Sequence, residues 1–255
     1  MRKLPVKDLT IDSKIARKAE AATMLAEDFK LDPETLEFLK TLITVPGISS
    51  THILLHGPKG AGKNQLARFL AEAVKWPAFE VRFGQSTENF RENIVMAHDI
   101  LGSGPGHILI IDNAEEILSQ STFDGPVKYK NFKGTWNLSV FMSQKEAACF
   151  WIVESLEDID ESILEIFDYN VKFEKLGATE RLRLWRKQQA TFKRKLLPDD
   201  SLRRLANEFD VNEDEIKKFF NKTWKIESQD AKKAELWLKN NYGHIWISWG
   251  GDLSL

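Results

Sequence analysis

The chain of 255 residues has very little cysteine, no long apolar run and no excess charge of either sign. A single cysteine, Cys149, rules out an internal disulfide and fits a reducing compartment. It sits in Ala147-Ala148-Cys149-Phe150-Trp151-Ile152-Val153, which reads as a buried core thiol rather than a reactive one. Nowhere do 18 apolar residues follow one another, and Met1–Lys7 lacks the apolar centre of a secretory signal, so an intracellular, cytoplasmic protein without a membrane segment is expected. The formal charge of −2 excludes a bulk electrostatic case for nucleic acid. The five histidines, His52, His56, His98, His107 and His244, have no metal-ligand spacing, and no Ser-His-Asp set can be assembled. Internal repeats and low-complexity tracts are missing as well.

What is present is a hydrophobic content of 42%, enough for a sizeable core, in a pattern of alternating strands and helices. Ile53–His56, Phe79–Phe83 and Tyr169–Phe173 read as strands, and the fully apolar Ile108–Ile111 and Ala147–Val153 as strands of the kind buried in a parallel sheet. Helices are expected over 11–29, over 33–43 with Asp32 as N-cap, over Asn64–Val74 and over Glu88–Leu101. After Leu176-Gly177 only charged helical patterns follow, at 178–194, 199–209, 212–224 and 231–240. The tail 241–251 alternates like a strand or docking segment, with Trp246 and Trp249.

The most informative segment is Gly57-Pro58-Lys59-Gly60-Ala61-Gly62-Lys63-Asn64. The spacing Gly57-x-x-x-x-Gly62-Lys63 between a strand and a helix lets bare backbone N–H groups face phosphates while the lysine reaches the outer ones. Gly57, Pro58, Lys59, Gly60, Ala61, Gly62, Lys63, Asn64 and Gln65 are therefore the expected nucleotide contacts. Asn64 stands where such a loop has the hydroxyl that holds Mg2+, which predicts a weakened metal site. Ile108–Ile111 ends in Asp112, a carboxylate placed to serve the same metal, so Asp112 and Asn64 are the candidate metal positions.

From about Leu31 to Trp224 the chain resembles the AAA+ ATPases, with the likeness strongest to the clade of katanin-like, spastin-like and bacterial remodelling enzymes. Leu156–Asp168 resembles the family segment that follows its sensor, and Leu202–Lys218 resembles the helical lid. The resemblance implies a three-layer α/β P-loop NTPase core with a parallel sheet, then a small all-α lid. It also implies bound ATP or ADP with Mg2+, and a ring, commonly a homo- or hetero-hexamer. The expected division is an N-terminal helical extension (1–30), the core (31–176), the lid (177–240) and an aromatic tail (241–255).

Departures from the family pattern concern hydrolysis. Asn113 replaces the water-activating glutamate, and Glu165-Ile166 replace the arginine fingers. The sensor position falls at Glu154 or Ser155, and the lid motif reads Asn212-Glu213-Asp214. Losing a general base costs about 10²–10⁴-fold in rate, and losing an arginine finger about 10³–10⁵-fold. The expectation is a nucleotide-binding structural or regulatory subunit with weak or absent hydrolysis, served by an AAA+ partner that supplies catalytic residues, with a protein client or adaptor. Glu115, one turn beyond Asn113, is the remaining carboxylate for a rescue. The alternatives are an active protein-remodelling ATPase, with Phe83-Gly84 as a pore loop, and a nucleic-acid-associated regulator using Lys128–Lys133. The plainer readings are a strand end with Ser86 or Thr87 capping the next helix, and a solvated loop.

Overall fold

The computed structural model describes residues 11–45, 50–101, 106–119, 124–129, 132–144, 148–191, 197–223 and 231–242. These form two compact units: one takes the chain through Pro58 and from Gly62 to Phe173, the other takes Lys59–Ala61 and the chain from Glu174 onward.

The first unit is built on a mostly parallel six-stranded sheet. Its strands are β1 (Ala16–Lys18), β2 (Thr51–His56), β3 (Ala78–Val81), β4 (Ile108–Ile111), β7 (Ala148–Val153) and β8 (Tyr169–Lys172). They lie in the order β1-β3-β4-β7-β2-β8, and only the β1–β3 pair is antiparallel. All six residues of β7 and all four of β4 are buried, because a central parallel strand is covered on both faces. On one face Leu54, Leu109, Ile111, Cys149, Trp151 and Val153 pack with Phe90, Ile94, Ala97 and Leu101 of α3 (Thr87–Leu101). The alternate residues Ile53, Leu55, Ile108, Ile110, Phe150 and Ile152 are equally buried. Helix α2 (Lys63–Val74) contacts β4 and β7, and α1 (Pro33–Thr44) packs against α2. Asp32 caps α1 as anticipated, accepting from Thr35 N at 2.7 Å.

The N-terminal segment differs from its expected form. Residues 11–29 form no long helix; they make an Asx-type turn at Asp12, the edge strand β1 and a 3₁₀ turn at Ala26–Asp28. Tertiary pairing overrides local helix propensity here. Arg17 lies opposite Glu80 on β3 and donates to it at 2.7 Å, and Arg68 of α2 binds the same carboxylate. Further on, Ala22 N donates to Glu72 Oε1 at 2.7 Å and Thr23 N to Gln65 Oε1 at 2.8 Å, so α2 side chains hold an extended backbone.

A second difference lies between α4 (Glu115–Leu118) and α5 (Leu138–Gln144). The segment read as a solvated loop around Tyr129–Lys133 is an antiparallel hairpin of β5 (Asp124–Tyr129) and β6 (Phe132–Asn137), with Lys130 and Asn131 outside the described residues. A short helix, α6 (Glu161–Leu164), precedes β8.

The second unit is helical: α7 (Ala178–Thr191), α8 (Asp199–Glu208), α9 (Glu213–Thr223) and α10 (Ala231–Tyr242). Its core is aromatic, with Trp185 edge-on to Phe219 at 5.1 Å and to Phe220 at 5.6 Å, and Phe219 against Trp237 at 5.6 Å. Trp237 thus packs on this unit. The expected extended tail begins as helix, since α10 continues to Tyr242; Trp246 and Trp249, like Lys193-Arg194-Lys195, lie outside the described residues. Arg181 is a buried tie: it donates to Ala206 O at 2.8 Å, to Leu176 O, and to Asp210 Oδ1 at 3.0 Å.

Candidate nucleotide site

Strand order brings the chemistry together. Because β7 separates β4 from β2, and His56 pairs with Val153 while Ile111 pairs with Trp151, the C-terminal ends of all three strands emerge at one edge. This edge is where ligands bind in open parallel sheets. From it leave the phosphate loop after β2, Asp112 after β4 and Glu154 after β7.

The loop has the backbone that phosphate binding needs. Gly57 sits at φ 133°, and a Cβ there would lie 2.2 Å from Phe173 O. Gly62, at φ 99°, is the N-cap of α2, with Met24 Sδ 3.1 Å from where a Cβ would be. Lys59 and Gly60 are exposed, Pro58 is half-buried and Ala61 is buried. The α2 N-terminus and its unbonded N–H groups follow directly, a favourable place for an anion.

Lys63 is only 6% exposed, and its ammonium donates to Gly57 O and to Pro58 O, the latter at 2.9 Å. Burial lowers its proton affinity, while the carboxylates of Glu154, Asp112 and Glu115 oppose that shift. The loop therefore holds a charged group over its own carbonyls, from which it can turn to phosphate oxygens. Asn64 donates through Nδ2 to Asp112 Oδ2 at 2.9 Å. The other carboxylate oxygen of Asp112 accepts from Asn113 N at 3.1 Å. Gln65, included among the expected contacts, turns its side chain to Thr23 N, which leaves its backbone for a ligand.

Asn113 is exposed and adopts φ 55°, a left-handed conformation that asparagine tolerates better than most residues. Ala114 N then donates to Ile152 O at 2.9 Å and ties the start of α4 to β7. Glu115 carries a raised pKa, caused first by burial and then by the nearby Glu154 and Asp112 charges. Glu154 and Ser155, the two sensor candidates, behave differently. The charge of Glu154 is felt by Lys63 and Glu115, whereas Ser155 Oγ accepts from Glu157 N at 3.2 Å. At the finger positions Glu165 is exposed and Ile166 packs on the core. Phe83 also packs inward, 5.1 Å from Phe90, and Ser86 Oγ accepts from Asn89 N at 3.2 Å as the cap of α3.

The charge cluster of Lys63, Glu115 and Glu154 is not contiguous in the sequence; each was expected at the site singly, as phosphate-loop lysine, rescue carboxylate and sensor candidate, but not their electrostatic coupling. Asn212 of the lid motif is likewise a structural cap: its N–H donates to Glu215 Oε2 at 2.8 Å and its Oδ1 accepts from Glu215 N at 3.1 Å.

Residues 53–175 match the family described as ATPase family associated with various cellular activities (AAA). The match covers just under half of the chain, so an AAA domain is what this segment is similar to. No curated protein matches the chain. An AAA domain implies nucleotide binding, usually with Mg2+, and such domains often assemble into oligomers. The cradle of Gly57, Gly62 and Lys63 fits a phosphate chain. No group of three or more His, Cys, Asp or Glu suited to holding a metal occurs among the described residues. No described helix is long and apolar enough to cross a membrane.

Proposed function

We propose that this chain is an AAA protein that binds ATP or ADP through Gly57–Gln65, turns it over slowly on its own, and serves in the cytoplasm as a structural or regulatory subunit of a ring or larger assembly. The observation that carries this reading is the pairing of an intact cradle, Lys63 buried over a glycine loop at the α2 N-terminus, with Asn113 where a water-activating carboxylate would stand. An amide cannot accept the proton of an attacking water. The Mg2+ site is weakened because both Asp112 oxygens already have donors, one of them the Asn64 amide that replaces a hydroxyl. A neighbouring AAA+ subunit in a homo- or hetero-hexamer supplies the cation that Glu165 and Ile166 cannot. Kinship lies with the clade of katanin-like, spastin-like and bacterial remodelling enzymes. A protein client or adaptor is the partner, and the inward packing of Phe83 weighs against threading a polypeptide past that residue.

Calorimetric titration of the full chain with ATP and ADP, with and without Mg2+, tests the binding half. Phosphate release by the same sample tests the other. Micromolar-range binding that Lys63→Ala removes, together with slow release, is the expected pair. Absence of uptake at millimolar ligand, or turnover as brisk as that of an AAA+ enzyme with its glutamate, sinks the proposal. Light scattering with and without nucleotide reports assembly.

A further inference from the structure

Among the described residues, Glu115 has a buried carboxylate oxygen, Oε2, with no hydrogen-bond partner. A buried polar atom of this kind costs stability unless something arrives to satisfy it. Its position is fixed rather than loose: the Ala114 N to Ile152 O bond fastens the start of α4 to β7, and α4 begins at Glu115 itself. Lys63 at the start of α2, Asp112 after β4 and Glu154 after β7 are each near enough to Glu115 for charge on one to be felt by another. Asn113, by contrast, turns the chain at φ 55° and exposes its side chain.

We propose that Glu115, displaced by two positions from Asn113, is the carboxylate that holds and deprotonates the water attacking the γ-phosphate of bound ATP. The inference rests on the nucleotide-binding reading above and assigns the slow turnover to a residue. In the step, the water oxygen forms a bond to the γ-phosphorus and the bond from that phosphorus to the β,γ-bridging oxygen breaks. The water proton passes to Glu115 Oε2, ADP and phosphate leave, and Glu115 returns the proton to solvent. Lys63 meanwhile offsets charge on the outer phosphate oxygens. The neighbouring negative charges of Asp112 and Glu154 crowd the same space, which is the physical reason for slow chemistry: they oppose the approach of a triphosphate as well as assisting a base.

The test uses the full chain and three proteins: the natural one, Glu115→Gln, and Glu116→Gln as a control at the exposed neighbouring acid. Single-turnover ATP hydrolysis is measured against the protein-free rate. Affinities for fluorescent ATP and ADP analogues are measured without Mg2+. Expected are slow hydrolysis by the natural chain, loss to the protein-free rate in Glu115→Gln, and hydrolysis retained in Glu116→Gln, whose charge is the smallest of those raising the Glu115 pKa. Removing a negative charge beside the γ-phosphate tightens metal-free ATP about three- to tenfold and changes ADP less. A purely structural Glu115 would shift ATP and ADP together, or abolish both, and either result overturns the proposal. So does a Glu115→Gln protein that hydrolyses like the natural one, or a natural chain with no hydrolysis above background. Failure of the natural chain to bind ADP at all sinks the nucleotide-binding reading instead.

Discussion

Acid should destabilise this protein through His52 in particular. The ring lies on β2, 3% exposed, between Trp151 of β7 and Met142 of α5. Trp151 Nε1 donates to His52 Nδ1 at 3.1 Å, so Nδ1 is the acceptor and Nε2 carries the hydrogen that reaches Met142 O at 3.2 Å. Protonation would place a second hydrogen against the indole N–H. Burial, opposed in part by the Met142 carbonyl and reinforced by His98, lowers the pKa from 6.5 to about 4. The unfolded chain therefore takes up this proton before the folded one does. Above pH ~6.5 the imidazole is neutral in both states and costs nothing; as pH falls from there through ~4 stability is lost, and below that the loss levels off. The full difference is about 3 kcal/mol, a large part of a typical folding free energy. Urea unfolding at pH ~7 and at pH ~4.5 measures it, with His52→Gln as reference, since an amide can accept and donate without titrating. Other groups titrate alike in both proteins, so the natural chain should lose roughly 2–3 kcal/mol more than His52→Gln. Parallel pH dependence in the two would refute the assignment.

Four further outcomes follow from particular contacts. Lys63→Ala should weaken ATP by about 10–100-fold, the loss of charge-assisted bonds to phosphate, in a fluorescence titration. Asn64→Thr restores a hydroxyl and frees Asp112 Oδ2 of its amide donor, so Mg2+ should tighten ATP more in this variant than in the natural chain; an unchanged Mg2+ effect counts against the weakened-site reading. Asn113→Glu should raise phosphate release if the missing carboxylate limits the rate, by up to about 10²-fold. Asn212→Ala breaks the reciprocal cap of α9 and should cost about 1 kcal/mol in thermal or urea unfolding.

The parts of the fold that were legible from sequence are those where burial leaves an unambiguous trace. Ile108–Ile111 and Ala148–Val153 are apolar at every position because both faces are covered, and the loop between β2 and α2 carries its chemistry in contiguous residues. Residues 11–29 were not legible, since their helical periodicity is overruled by Glu80, Glu72 and Gln65, partners 42 to 63 positions away. The β5–β6 hairpin was hidden by Gly125, Pro126 and Gly134, which weaken any strand signal. Within the candidate site, Lys63, Asp112 and the sensor candidates Glu154 and Ser155 could be named from their motifs, but not which of the last two reaches Lys63, because nothing local states that β7 lies between β4 and β2.

That amide bridge from Asn64 to Asp112 would, in the proposed nucleotide site, make loading and cation supply separable. In a site where metal alone joins the loop to the neighbouring strand end, chelation undoes the junction along with the ligand. Here the Asn64 amide already fastens the loop to the end of β4, so in the proposed nucleotide site this junction does not wait on a divalent ion.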